Sequence, residues 1–298
     1  MSLAPVLLFT YNRPSHTRQT LEALMNNELC SETELYIYSD GYKSKSDKNE
    51  VLKVRKLIHS IDGLKKIHIV ENPHNIGLAK NIIEGVTRIV NEYGKVIVLE
   101  DDLITAPQFL SFMNEALERF ENEEKIGHIH GFCYPIKGLP EAFLIKWIGS
   151  WGWATWKRAW QIFNPDGQEL LNEIKRRKLS KQFDFNGKYP YTRMLKRQVN
   201  GENDSWAIRW NATLFLNDML SLNAGKSLVQ NIGFDGSGIH SGSDEIYSTD
   251  LFKGKLNIEI PEIIENKSAR KAFEKYYGLT NSFGAKAKRR INRFLRSR

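Results

Sequence analysis

Cysteine is almost missing from this 298-residue chain: Cys30 and Cys133 are the only two. They are too few for a disulfide framework and too far apart for a metal-ligating cluster, which predicts a reducing, cytoplasmic setting. Long hydrophobic runs are absent as well. None approaches the roughly 18 residues that a membrane span requires, and the first residues lack the basic-then-apolar pattern of a secretory leader. There is no internal repeat and no low-complexity linker. What remains is 41% hydrophobic and 26% charged, an ordinary globular composition on a chain long enough to bury a full core.

The net charge of +8 is unevenly spread. Lys286, Lys288, Arg289, Arg290, Arg293, Arg296 and Arg298 carry seven positive charges within the last thirteen residues, with no acid among them. Ile291, Phe294 and Leu295 add apolar groups at helical spacing. A short basic amphipathic segment of this kind suits an anionic membrane surface better than nucleic acid, and a solvated tail is the simpler alternative.

The first hundred residues alternate apolar runs with amphipathic stretches. Strands are expected at Pro5–Phe9, Leu35–Tyr38, Ile67–Val70 and Val96–Leu99. Helices are expected from a Ser15 cap to about Asn27, from about Asp47 to Ile61, and from Gly77 to Tyr93 with Gly94 as the left-handed stop. This order predicts an α/β fold, a mostly parallel sheet with helices on both faces. Further on, a helix is expected over Pro107–Glu121, strands over Ile126–Phe132 and Phe143–Ile148, and a helical region over Tyr191–Leu220.

The most informative stretch is Val96-Ile97-Val98-Leu99-Glu100-Asp101-Asp102-Leu103. A buried strand runs straight into three adjacent carboxylates, whose mutual repulsion folding alone does little to justify. A hard divalent cation, Mg²⁺ or Mn²⁺, would relieve it and would share its shell with substrate phosphates. A solvated acidic loop, or a cap for the following helix, would also account for the acids. Every earlier strand also ends in polar residues able to face one cleft. Thr10, Tyr11, Asn12 and Arg13 follow the first, with Arg13 suited to balance phosphate charge. Asp40-Gly41 follows the second, where Asp40 can accept from a base or ribose or simply make a turn. Asn75, Gly77 and Lys80 follow the third, Gly77 letting backbone approach a ligand and Asn75 able to cap the helix behind it.

The segments PVLLFTYNRP, IYSDG, NPHNIGLAKN and VIVLEDDL, in this order, resemble the inverting nucleotide-sugar glycosyltransferases of the GT-A fold over about the first 110 residues. The opening strand and Asn-x-Gly segment are similar to the bacterial polysaccharide-synthesising branch. Glu100-Asp101-Asp102 is similar to the acidic metal motif of the N-acetylglucosaminyltransferase I branch. The resemblance implies a GT-A (Rossmann-like) domain over residues 1–245, with a nucleotide-binding half (1–110) and an acceptor half (111–245). Residues 246–298 would form a helical C-terminal extension ending in the basic tail. It also implies Asp102 as ligand of Mn²⁺ or Mg²⁺, Asp101 against ribose or donor sugar, and Glu100 against the nucleoside. Asn203-Asp204-Ser205-Trp206 is similar to the family's acidic helix start, which implies Asp204 as general base; the spacing to Arg209 departs by one residue. His240 corresponds to a late histidine near metal and diphosphate.

Read as residues, Asp204 suits either a base or an N-cap, and the two roles are compatible. Trp151 and Trp153 suit either an acceptor-sugar platform or core filling. His128 and His130 read as structural. The implied function is inverting transfer of a sugar, UDP-linked by preference, to a glycan or lipid-linked glycan in cell-surface polysaccharide synthesis. It would take place at the inner face of the cytoplasmic membrane. A sugar-nucleotide pyrophosphorylase would need a glycine-rich loop after the first strand, and Thr10–Pro14 has none. The same residues are compatible with a non-catalytic carbohydrate-binding protein and with a retaining transferase.

Overall fold

The computed structural model describes residues 2–234, 247 and 249–282. Four parallel strands form one half of the sheet: β1 (Val6–Thr10), β2 (Glu34–Ser39), β3 (Lys66–Glu71) and β4 (Lys95–Glu100). They are joined by α1 (Pro14–Met25), α2 (Lys48–Ile58) and α3 (Leu78–Tyr93). The β-α alternation expected from the sequence is present, with boundaries shifted by one to three residues. Ser15 is not the cap of α1: Arg13 holds that position with no side-chain cap, and Pro14 takes the first helical turn, where a missing N–H costs nothing.

The second half adds β5 (Leu103–Thr105), α4 (Phe109–Arg119), β6 (Ile126–His130), β7 (Ala142–Ile145), β8 (Trp153–Trp156) and α5 (Lys157–Trp160). Then come α6 (Gly167–Arg176), α7 (Ser180–Phe183), α8 (Tyr191–Val199), α9 (Trp206–Leu216), β9 (Leu220–Ala224), β10 (Val229–Asn231) and α10 (Lys267–Thr280). The expected helical region over 191–220 is therefore two helices and the start of a strand. The eight-stranded sheet runs β3-β2-β1-β4-β8-β6-β9-β7, and β5 pairs with β10 in a small antiparallel ribbon. Parallel pairing covers β3 to β4 and β6–β9, while β8 and β7 run antiparallel to their neighbours.

Alternate side chains of the strands enter two separate cores. Val6, Leu8, Leu35, Ile37, Ile97 and Leu99 face α1, α2 and α4. Leu7, Phe9, Tyr36, Tyr38, Val96 and Val98 face α3 and α9, together with Trp153, Trp160, Trp206 and Trp210. Residues buried on both sides explain why β1 and β4 read as unbroken apolar runs. Helix α10 closes the far end, with Phe273 and Tyr277 against Phe143, Tyr134 and Phe185.

The chain order of the parallel strands decides where a ligand can sit. β1, β2 and β3 extend one way, and β4 returns to the other side of β1. Connections therefore diverge between β1 and β4, leaving a crevice at their carboxyl ends, where open α/β sheets bind ligands.

Candidate active site

Residues after β1 and β4 meet in that crevice. Arg13 Nη2 donates to Asp101 Oδ1 at 2.5 Å and to Asp102 Oδ2 at 2.9 Å, and Tyr11 N–H donates to Asp101 Oδ2 at 3.2 Å. Side-chain exposures are 19% for Arg13, 6% for Asp101 and 14% for Asp102, so the three charges share a largely dry corner. Burial there works against the guanidinium's charge, but the two carboxylates outweigh it and raise the Arg13 pKa. Burial raises Asp101, with Arg13 opposing, and pushes Glu100 up to about 8, helped by Asp102 and Asp101. Arg13, expected to face phosphate, instead answers the repulsion within the triplet from inside the protein. Asp101, expected against ribose or sugar, has both oxygens engaged and ties the β1 loop to β4.

The second strand end is a brace. Asp40 Oδ1 accepts from Gly41 N–H (3.0 Å), Ile76 N–H (3.0 Å) and Asn72 Nδ2 (3.2 Å), and Oδ2 accepts from Gly77 N–H (3.0 Å). Instead of waiting open for a base or ribose, this buried carboxylate fixes the loop leading into α3. Asn75 does not cap α3; its Nδ2 donates to Gly41 O at 2.9 Å. Gly77 occupies the N-cap position at φ +83°, with open space where a side chain would go, so its backbone conformation and not crowding requires glycine. Gly41 is the crowded glycine, where a Cβ would overlap the His74 backbone. Lys80 is exposed, its Nζ 3.8 Å from Glu84 Oε1. Thr10 is buried, and its carbonyl accepts from Asp40 N–H at 3.0 Å. Tyr11 spans the mouth, donating from its hydroxyl to Asp47 Oδ2 at 2.9 Å and accepting from Lys43 N–H at 3.1 Å.

On the other side of the crevice the two tryptophans separate. Trp153 is 0% exposed, stacked on Trp206 at 4.9 Å and on His128 at 5.3 Å. It cannot serve as an acceptor platform, because β8 turns its side chain into the core beneath α9. Trp151 is only half-buried and meets Phe132, Phe234 and Tyr247 edge-on at 4.7, 5.4 and 5.3 Å. Phe234 and Tyr247 are not expected from the sequence; nothing in their spacing marks them as neighbours of Trp151, and only the fold brings the three rings together. Ile232 N–H donates to Asp102 O at 2.9 Å, and a Cβ on Gly233 would overlap Asp102 Oδ2. An aromatic wall therefore stands beside the acidic corner. His240 lies outside the described residues, as does the basic tail.

Asp204 precedes α9. Ser205 is the N-cap, its Oγ accepting from Ile208 N–H at 3.3 Å, so the capping role falls to the neighbour. Asp204 is 73% exposed, and its Oδ1 accepts from Arg209 Nη2 at 2.8 Å while the Arg209 side chain is nearly buried. Stacking of Trp206 on Trp153 sets this helix start above the rim, because Trp153 is opposite Val98 of β4 in the sheet register. His128 and His130, read as structural from the sequence, are both buried. His128 Nδ1 accepts from Trp210 Nε1 at 3.2 Å, which leaves Nε2–H to donate to Gly149 O at 2.9 Å.

Among the described residues no three His, Cys, Asp or Glu side chains converge into a ready-made metal cage. The donor set nonetheless fits a hard cation shared with a diphosphate. Asp102 Oδ2 is held by Arg13, and Oδ1 has no hydrogen-bond partner among the described residues. One carboxylate plus substrate phosphates is a usual arrangement for Mg²⁺.

The model of the glycosyl transferase family 2 matches residues 6–202, from β1 to the turn just before Asp204. The chain belongs to this family of glycosyltransferases. No curated protein matches the sequence significantly. Among solved structures, a mannosyltransferase from Pyrobaculum calidifontis in complex with GDP-Man and Mn²⁺ is 11% identical, covering 71% of this chain and 74% of its own, at a TM-score of 0.39. TarS of S. aureus is 13% identical over 47% of this chain at a TM-score of 0.31, and the match spans 23% of the TarS chain. A shorter TarS structure, in complex with UDP-GlcNAc, is 12% identical over 46% of this chain and 37% of its own, at a TM-score of 0.30.

Proposed function

We propose that this protein transfers a sugar, with inversion, from a nucleoside-diphosphate donor to a glycan or lipid-linked glycan during cell-surface polysaccharide synthesis. UDP is the favoured carrier. The observation carrying the reading is the Arg13–Asp101–Asp102 cluster in the crevice between β1 and β4, the place a nucleotide's diphosphate would occupy. Tyr11, at the mouth beside the Asp40 brace, contacts the nucleoside, and Glu100 and Thr10 shape the wall behind it. Asp102 would hold Mn²⁺ or Mg²⁺, which when bound would supply positive charge where the leaving diphosphate gains negative charge.

The chain's own residues do the rest. Asp204 takes the proton from the acceptor hydroxyl as the new bond forms between that oxygen and the anomeric carbon. The anomeric carbon–phosphate oxygen bond breaks, and its electron pair leaves on the nucleoside diphosphate. Arg209 holds Asp204 Oδ1, which leaves Oδ2 to accept the proton. Trp151, with Phe234 and Tyr247, presents aromatic faces to the acceptor sugar. The basic tail holds the enzyme at the inner face of the cytoplasmic membrane, where lipid-linked acceptors reside.

Incubation with a panel of nucleotide sugars and Mn²⁺ tests the reading: slow hydrolysis of one donor is expected, with loss in Asp102→Ala. Asp204→Asn is expected to keep donor binding and lose transfer. Failure to bind or hydrolyse any donor in the panel would overturn the donor site, and transfer retained by Asp204→Asn would overturn the choice of base.

A further inference from the structure

Helix α8 carries two unlike faces. Tyr191 and Leu195 are buried and Met194 and Val199 pack against the core, so the helix orientation is fixed from inside. Its outer face presents Arg193, Lys196, Arg197 and Asn200, at the three- and four-residue spacing that lines side chains up on one side of a helix. Together with Glu202 they line an open cavity of about 620 Å³. Three cations face one acid there. Arg197 Nε spends its charge on Glu202 Oε2 at 2.9 Å, and Asn200 Nδ2 reaches Glu202 Oε1 at 3.3 Å. Arg193 and Lys196 have no ion-pair partner among the described residues. Lys196 and Arg197 also offset the carbonyl end of the helix. Arg193, a turn earlier, acts on Glu202 only through space, after Arg197 and Asn200 have taken that carboxylate's hydrogen bonds.

The place of the cavity gives it meaning. Glu202 stands two residues before Asp204, so along an extended chain their Cα atoms are separated by at most about 7 Å. The cavity thus adjoins the turn that presents the base, outside the crevice formed by β1 and β4. An excess of fixed positive charge, with a guanidinium fork and an ammonium free to donate, is the chemistry that recognises phosphate oxygens.

We infer that the α8 cavity binds a phosphate group of the acceptor, through Arg193 and Lys196, and that the enzyme's natural acceptor is therefore a phosphate-bearing glycan or glycan carrier. This rests on the acceptor-side reading of Asp204, but the binding step can be measured without any donor. The probe is inorganic pyrophosphate, titrated calorimetrically into the full chain in EDTA, so that no cation bridges it to the acidic corner. Saturable binding is expected, weakened about tenfold or more in Arg193→Ala/Lys196→Ala, each lost charge contact counting for roughly half a power of ten. Arg193→Gln/Lys196→Gln is the second variant should the first not fold. Lys56→Ala/Lys66→Ala, which removes two exposed cations at the far end of the sheet, is expected to bind pyrophosphate like the unaltered protein. Equal binding by all variants, or none by the unaltered protein, overturns the inference. In a parallel arm, phosphatidylglycerol vesicles released by the α8 variant, with no pyrophosphate binding, would mean that the cavity reads a lipid surface, and this too overturns it. Loss of donor hydrolysis in the unaltered protein would refute the transferase reading alone and leave the pyrophosphate result interpretable.

Discussion

Asp40→Ala discriminates between a donor-binding carboxylate and a structural one. The substitution removes the acceptor for three backbone N–H groups, Gly41, Ile76 and Gly77, each at 3.0 Å, and for the Asn72 amide at 3.2 Å. Hydrogen bonds to a charged acceptor contribute about 1.5–3 kcal/mol each, and neutral ones about 1. The loop lies at the sheet edge, so water recovers part of the loss, and a net destabilisation of about 3–4 kcal/mol is expected. That is a large share of the 5–15 kcal/mol by which typical domains are stable. Asp40→Asn keeps one acceptor oxygen and turns the other into a donor facing an N–H, for a cost of about 2 kcal/mol. Urea unfolding followed by tryptophan fluorescence reads both, and calorimetric titration of a nucleoside diphosphate reads the site. Stability should fall in the order unaltered, Asn, Ala, with donor affinity following the loop's integrity. A loss below about 1 kcal/mol in Asp40→Ala, together with a sharp drop in donor affinity, would refute the brace and restore Asp40 as a ligand contact.

Further perturbations probe the rest of the molecule. Arg13→Met leaves Asp101 and Asp102 without their cation, and about 2–3 kcal/mol of stability should be lost; millimolar Mn²⁺ should restore part of the melting temperature, and no restoration would deny that the corner holds a metal. Trp153→Ala should cost about 3–5 kcal/mol because the ring is wholly enclosed, whereas Trp151→Ala should cost far less in denaturant and reduce transfer; similar unfolding curves would contradict the separation of the two rings. Burial pushes His130 down to about 3, so the native state stays neutral there while the unfolded chain takes up a proton below about 6.5. Stability from this group is therefore lost as pH falls through that window. Between pH 6 and 4.5 the unaltered protein should lose about 1.4 kcal/mol per pH unit more than His130→Gln, and parallel stability profiles would refute it.

The parallel half was legible in the sequence because its strands are buried on both faces and its helices bury one. Leu7 and Leu8 enter different cores, so β1 has no polar position to interrupt the apolar run. The second half was harder for the same physical reason in reverse. The crowd from Trp151 to Trp160 looks like a binding surface in one dimension. In three dimensions Trp153 and Trp156 lie on β8, slotted antiparallel between β4 and β6, and their rings go to opposite cores, while Trp151 stays half-buried just before the strand. Trp153 enters the core with α3 and α9, and Trp156 enters the one with α4. Composition shows that aromatics are present, but which face each one occupies depends on a pairing made by residues far along the chain.

The site divides in the same way. Three acids in a row announce a charge problem, and in the sequence alone an external cation is the evident solution. The fold supplies an internal one first: Arg13, 88 residues from Asp101, is carried beside it by the adjacency of β1 and β4. This changes the expected electrostatics of donor binding. A corner already holding one guanidinium against two carboxylates carries about one net negative charge instead of two, so a divalent cation joining it leaves a net positive site for a diphosphate. Without Arg13 the same cation would merely neutralise the acids and leave the phosphates little attraction. Arg13 need not touch the phosphates to favour them, and increasing salt should weaken donor binding more steeply in the unaltered protein than in Arg13→Met with metal present. Equal salt dependence in the two would mean that the guanidinium serves the fold alone.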